Sequence, residues 1–168
     1  SETLGTLQRR GLVIPCGNHA VIDYRRALDE GLGALRSRLA ATARRAAPER
    51  KNLYAAWQRI AAAHAHWIRR YAECARRDAD RCDAPGRRGE LERIANDCDY
   101  LADRAPETFR QACQLLCFVY YFAPDSPGRI DQLLIDFYRR DLAAGRISRD
   151  DAREVLGCLW IKFFECLG

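Results

Sequence analysis

Methionine is missing from all 168 residues, position 1 included. Ser1 is therefore expected not to be the natural start, and the sequence to be a piece or a processed form of something longer. Lysine is nearly missing as well: Lys51 and Lys162 are the only two among 28 basic residues, so the positive charge is almost wholly arginine. Acidic residues are interleaved with those arginines, the formal net charge is +5, and no uninterrupted basic block occurs. A surface that tracks phosphates needs such a block, so nucleic-acid binding is not expected. The sequence has no apolar run long enough to span a membrane and no secretory leader pattern. A glycine-rich phosphate loop, an HExxH pair and a GxSxG elbow are all absent, which removes the commonest nucleotide, zinc-protease and serine-hydrolase signatures. The eight cysteines (16, 74, 82, 98, 113, 117, 158 and 166) lack the paired short spacings of a zinc ribbon or a disulfide framework. They read as reduced, cytosolic thiols that behave as small hydrophobes on helix faces.

What is present is helical periodicity. The most densely patterned stretch is 126–165. Ile130, Leu133, Leu134, Phe137, Tyr138 and Leu142 mark one helical face, which stops at Gly145. Ser148 and Asp151 then form a capping-box-like start. Ala152, Val155, Leu156, Leu159, Trp160, Phe163, Phe164 and Leu167 form a second face that is expected to be buried. Upstream, Tyr24, Leu28, Leu32, Leu35 and Leu39 predict a first helix from Ile22 to about Ala47, with Asp23 near its start. Leu53, Trp57, Ile60, His64, Ile68, Tyr71 and Ala75 predict a long second helix from Glu49 to about Ala79. The stretch 78–89 reads as a loop, and a third, more polar helix runs from about Gly89 to Asp103. Pro106 sits at the expected first position of a fourth helix, whose sequence TFRQACQLLCFVYYF is apolar on nearly every side and is expected to be innermost. Residues 1–21 show no helical period; GLVIPCGNHAV is one strand or an extended lead-in. The fold class is mainly α, about six helices in a single unit over 1–168.

Candidate chemistry is sparse. His64 and His66 are two apart on a helix and point about 200° from each other, so they cannot chelate one metal, and His64 reads as a hydrogen-bonded core histidine. Cys113 and Cys117 share a face, but no second pair completes a tetrahedron, so packing is expected and no metal site. Cys16 and His19 lie close together on a non-helical segment beside Gly17, which leaves a nucleophilic pair open beside a structural reading. Composition and spacing alone give a helical domain without an assigned role.

The segments GNHAVIDYRRALDEGLGAL, KNLYAAW, RYAECAR, ELERIANDC, PETFRQACQ, SPGRIDQ, FYRRDLAAGRIS and CLWIKFFE carry more. Together they resemble the pyruvate formate-lyase-like domain of glycyl radical enzymes, in the branch of dehydratases, choline lyases and related carbon–heteroatom lyases. The resemblance is collinear from about His19 to Glu165. It implies the N-terminal helical part of an α/β barrel. It also implies a radical mechanism, in which a protein glycyl radical installed by a separate iron–sulfur S-adenosylmethionine activase draws hydrogen from a loop cysteine. Neither the family's Cys-x-Glu loop nor its RVxGY-like radical site is in these 168 residues, so no catalytic residue and no cofactor is expected in this chain, and the chain alone is expected to be inactive.

Position by position, His19 matches the family histidine that faces the substrate hydroxyl, with Asn18 where the family has glycine. Asp23 and Tyr24, and Gly128, Arg129, Asp131 and Gln132 of GRIDQ, match motif positions read as structural, Asp131 pairing with Arg129 or a neighbouring helix. Ala123 and Pro124 stand where diol dehydratases have His-Ser, and Ile135–Tyr138 reads IDFY where the family has YPYY, which leaves the substrate open. The partners implied are the rest of such an enzyme or a second copy of the chain, together with the activase. The compartment implied is the cytoplasm of an anaerobe, within a microcompartment in some family members. The alternative reading is a stand-alone helical binding or assembly module derived from that fold.

Overall fold

Six α-helices, one 3₁₀ turn and one isolated β-bridge make up the residues that the computed structural model describes, which are 21–122, 124 and 126–165. The helices are α1 (Tyr24–Arg44), α2 (Lys51–Asp80), α3 (Pro85–Leu101), α4 (Phe109–Phe122), α5 (Ile130–Ala143) and α6 (Arg149–Glu165). None of them is long and apolar enough to cross a membrane.

Asp23 caps α1, its carboxylate accepting the Arg26 N–H at 3.2 Å. The helix is kinked at Gly31, where φ is 74° and ψ is 162°. The kink interrupts the intrahelical ladder, and the Gly33 N–H donates instead to the Asp103 carbonyl at 2.9 Å. Pro48 opens a 3₁₀ turn, Pro48–Arg50, that leads into α2. The loop expected over 78–89 is confined to 81–84: α2 continues to Asp80, and Pro85 takes the first turn of α3, where its fixed φ costs nothing.

Small buried residues line the seam between α2 and α3, namely Ala65, Ala72, Ala75 and Ala79 facing Ala95 and Cys98. With no bulky side chain between them the two backbones approach closely. Ion pairs from Arg69 to Asp103 and from Arg76 to Asp99 fix the antiparallel register.

Helix α4 lies at the centre. It packs against α1, α3, α5 and α6, and nine of its residues are buried, from Phe109 through Tyr120. Pro106 does not open it. Thr108 caps it instead, its hydroxyl accepting the Gln111 N–H at 3.2 Å, so Pro106 lies outside the first turn. Between α5 and α6 the backbone turns at Gly145, and Ser148 and Asp151 make reciprocal hydrogen bonds: Asp151 N–H to Ser148 Oγ at 3.1 Å and Ser148 N–H to Asp151 Oδ2 at 3.0 Å.

Two apolar faces expected inside are only partly so. On α6, Ala152, Leu159 and Phe163 are buried, while Trp160, Ile161 and Phe164 are exposed, Phe164 by 75%. The reason is that α6 packs mainly on α4, and one neighbour covers a narrower stripe than the period marks out. On α2 the face is covered from His64 onward, whereas Leu53, Trp57 and Ile60 before it, and Tyr71, stand largely in solvent.

Candidate functional site

Two segments more than a hundred residues apart meet at one end of the helical assembly. Val21 and Ser126 form a parallel β-bridge. Immediately after it, the buried Tyr24 side chain donates its hydroxyl hydrogen bond to the Ser126 carbonyl at 3.1 Å. Arg25 donates to the Gln132 carbonyl at 2.5 Å, tying α1 to the first turn of α5. Gly128 makes the bend between them with φ at 65°, and a Cβ there would come within 3.0 Å of Val21 Cγ1, so both its conformation and its closeness to Val21 call for glycine. The structure thus brings Asp23, Tyr24, Gly128, Arg129, Asp131 and Gln132 to one place, around a shallow cavity of about 250 Å³ lined by Val21–Arg25, Gly128, Arg129, Gln132 and Leu133. His19 and Cys16 lie outside the described residues.

Arg129 and Asp131 pair in a bidentate fork, Nε to Oδ1 at 2.9 Å and Nη2 to Oδ2 at 2.7 Å. The Arg129 hydrogen bond holds the Asp131 carboxyl down to about 2, and the same bond raises the guanidinium. Asp131 is therefore ionised at any physiological pH and is unsuited to proton transfer; it fixes the start of α5. Carbon-detected titration of the carboxyl is expected to show a midpoint near 2 in the native protein, and an ordinary aspartate value in Arg129→Ala. The melting temperature should barely move, because both partners are exposed and such pairs add little stability.

No other cluster is built for chemistry. Among the described residues no group of three or more His, Cys, Asp or Glu side chains is placed to hold a metal ion. Cys98 and Cys113 are buried, and burial pushes both thiols up to about 12, which makes them poor nucleophiles; Cys117 is buried beside them. His66 is exposed.

His64 is half-buried rather than a satisfied core residue. Its ring stacks on Phe122 at 4.6 Å and leans on Trp67, and its Nε2 is buried without a hydrogen-bond partner. Burial lowers its pKa below the ordinary 6.5, and the Phe118 backbone acts weakly the other way. A lowered native value means that the unfolded chain binds the proton more tightly. The stability His64 contributes is therefore full above pH 6.5 and is lost as the pH falls through the lower, native value. Urea unfolding measured across this range should show that loss, and His64→Phe should flatten it.

The most deeply buried charge, Asp141, carries no motif that sequence reasoning recognised. Its Oδ2 accepts the Phe109 N–H at 2.7 Å and its Oδ1 accepts Arg146 Nη2 at 2.7 Å. The only signal for it lay in FYRRDLAAGRIS, where an aspartate directly follows two arginines on an otherwise amphipathic helix.

Comparison with known proteins gives this arrangement a context. A family model described as pyruvate formate lyase-like matches residues 15–167. The chain is similar to trans-4-hydroxy-L-proline dehydratase of Clostridioides difficile, with 40% identity over 103 residues, covering 56% of this chain and 13% of that protein. It is similar to isethionate sulfite-lyase of Nitratidesulfovibrio vulgaris, with 36% identity over 103 residues, 56% of this chain and 12% of that one. The crystal structure of a glycyl radical enzyme from Archaeoglobus fulgidus superposes with a TM-score of 0.81 at 30% identity, over 86% of this chain and 20% of that one. The chain thus spans a small part of the length of each protein it matches.

Proposed function

The chain belongs to the pyruvate formate lyase-like family, and from that premise we propose that it is the N-terminal helical part of a glycyl radical lyase or dehydratase acting anaerobically, in the cytoplasm, on a small polar substrate. In this reading His19 reaches the substrate from the segment that ends at the Val21–Ser126 bridge. Asp23, Tyr24, Gly128, Arg129, Asp131 and Gln132 hold that segment's exit in place. The loop cysteine and the glycyl radical come from sequence outside these 168 residues, and a separate iron–sulfur S-adenosylmethionine activase installs the radical. Taken by itself the chain is inactive. Whether the substrate loses water or another leaving group is left open, since the similar proteins include a dehydratase and a sulfite-lyase.

The observation that carries this reading is the convergence of the two motif segments, 21–25 and 126–132, in a chain that matches glycyl radical enzymes in the same collinear order. The exposed Trp160, Ile161 and Phe164 favour it over a self-contained binding module, which would have covered that face. The test is to activate the protein anaerobically with its activase, with and without the sequence that flanks residues 1–168 in its gene. A glycyl radical signal and turnover are expected only with the flanking sequence. His19→Ala should keep the radical signal and lose turnover. Turnover by the 168 residues alone would overturn the proposal.

A further inference from the structure

An apolar groove of about 260 Å³ runs between the second half of α1 and the first half of α2, closed at one end by Phe122 from α4. Its walls are Leu32, Leu35 and Leu39 on one side and Trp57 and Ile60 on the other, with His64 beside Phe122. Trp57, Ile60 and Phe122 are each about half exposed there, at 45%, 47% and 52%. The buried Nε2 of His64, which is without a partner, belongs to the same groove. A row of large apolar side chains around an unsatisfied nitrogen suits an occupant that brings both apolar side chains and a main-chain N–H donor.

We propose that the groove is covered by this chain's own N-terminal segment, with Leu12, Val13 and Ile14 seated against Trp57, Ile60 and Phe122. The direction of the chain is the first argument. The Val21–Ser126 bridge is parallel, so going back from Val21 leads the same way as going back from Ser126, toward the end of α4 and Phe122. Length is the second. Phe122 and Ser126 are four steps apart, at most about 14 Å of extended chain, and bridged strands lie about 5 Å apart. Seven further steps back to Ile14 add up to about 25 Å of reach, which spans the groove's length of some two to three helical turns. Chemistry is the third. Leu12-Val13-Ile14 is the longest apolar run before Val21, two of its three residues are β-branched, and Pro15 follows it. Such a run favours an extended backbone, whose N–H groups point sideways and can donate to His64 Nε2. None of these arguments depends on the radical chemistry proposed above.

The experiment places the photo-crosslinking residue p-benzoylphenylalanine at position 13 in the full protein, mixes isotopically heavy and light copies, and maps the cross-linked peptides. The expected product joins residue 13 to a peptide containing Leu35, Leu39, Trp57 or Ile60, heavy to heavy and light to light only. A mixed heavy–light product, which a second copy in the groove would give, overturns the proposal. So does cross-linking elsewhere on the chain, or none. A second reading comes from Val13→Asp, with folding checked by circular dichroism. It should raise hydrogen exchange in 32–39 and 57–64 and leave 85–101 unchanged; unchanged exchange in the groove peptides counts against the proposal in the same way.

Discussion

Gly31→Ala is expected to destabilise the protein by about 3–5 kcal/mol and to lower its melting temperature by roughly 10 °C, the largest effect of any single methyl group added here. Two costs combine. The backbone at Gly31 has φ 74° and ψ 162°, a region that residues with a Cβ enter only under strain, costing on the order of 1–3 kcal/mol. The added Cβ would also lie 2.3 Å from the Ala105 nitrogen and 2.5 Å from the Arg104 carbonyl carbon. These are main-chain atoms that no side-chain rotation can move aside, and overpacking of this kind costs a further 1–3 kcal/mol or so.

The clash also has structural reach. The kink at Gly31 releases the Gly33 N–H to Asp103, and Asp103 in turn holds Arg36 of α1 and Arg69 of α2. Burial alone would raise the Asp103 carboxyl, but the two guanidiniums outweigh it and hold it below its ordinary value. Pushing α1 away from 101–105 therefore loosens the point where α1, α2 and the end of α3 are joined. Gly86→Ala is the control, since nothing lies within 4 Å of a Cβ there and the change should be neutral or slightly stabilising. Thermal melts of the two variants that fall within about 1 kcal/mol of each other would contradict the account.

Legibility in the sequence followed how local each determinant is. Helix positions, the Ser148–Asp151 cap and the innermost place of α4 rest on periodicity and on pairs three residues apart, and these can be read directly. The loop at 78–89 was over-extended because Asp, Arg and Gly were read as breakers, although Pro85 begins a helix well and charged residues tolerate one. Gly31 and Gly33 looked like ordinary helix-weakening glycines. Their reason is the backbone of 103–105, some seventy residues away. The two halves of the site, IDY and SPGRIDQ, were each visible as a motif, but nothing short of tertiary structure shows that Tyr24 reaches the Ser126 carbonyl. The half-covered faces of α2 and α6 were over-read for a related reason: periodicity marks which side of a helix is apolar, and not how much of that side its neighbours cover.

Asp141→Ala should cost about 3 kcal/mol, more than any other loss of a single charged side chain in the protein. The carboxylate is 3% exposed and accepts from two directions. One donor is the Phe109 N–H, an orphan of the first turn of α4 that also sits at the positive end of that helix's dipole. The other is the Arg146 guanidinium, whose Nε and Nη2 both point at Oδ1. Truncation leaves the Phe109 N–H buried with no acceptor. Arg146 is half exposed and can turn to water, which keeps the loss at the lower end of the range for broken buried pairs. Asp141→Asn should recover little, because its one carbonyl oxygen can serve one donor while its amide hydrogens face the other. Hydrogen exchange at the Phe109 amide separates this from a general loosening: it should quicken in Asp141→Ala far more than in Arg146→Ala, where the carboxylate remains. The consequence reaches the candidate site through the α4–α5 pair. These two helices are joined at one end by the segment that contains Ser126, Gly128 and Arg129, and Asp141 pins them together at the other. Releasing the far end lets α5 pivot about the near one, so the Tyr24–Ser126 and Arg25–Gln132 hydrogen bonds should weaken although neither lies near the substitution.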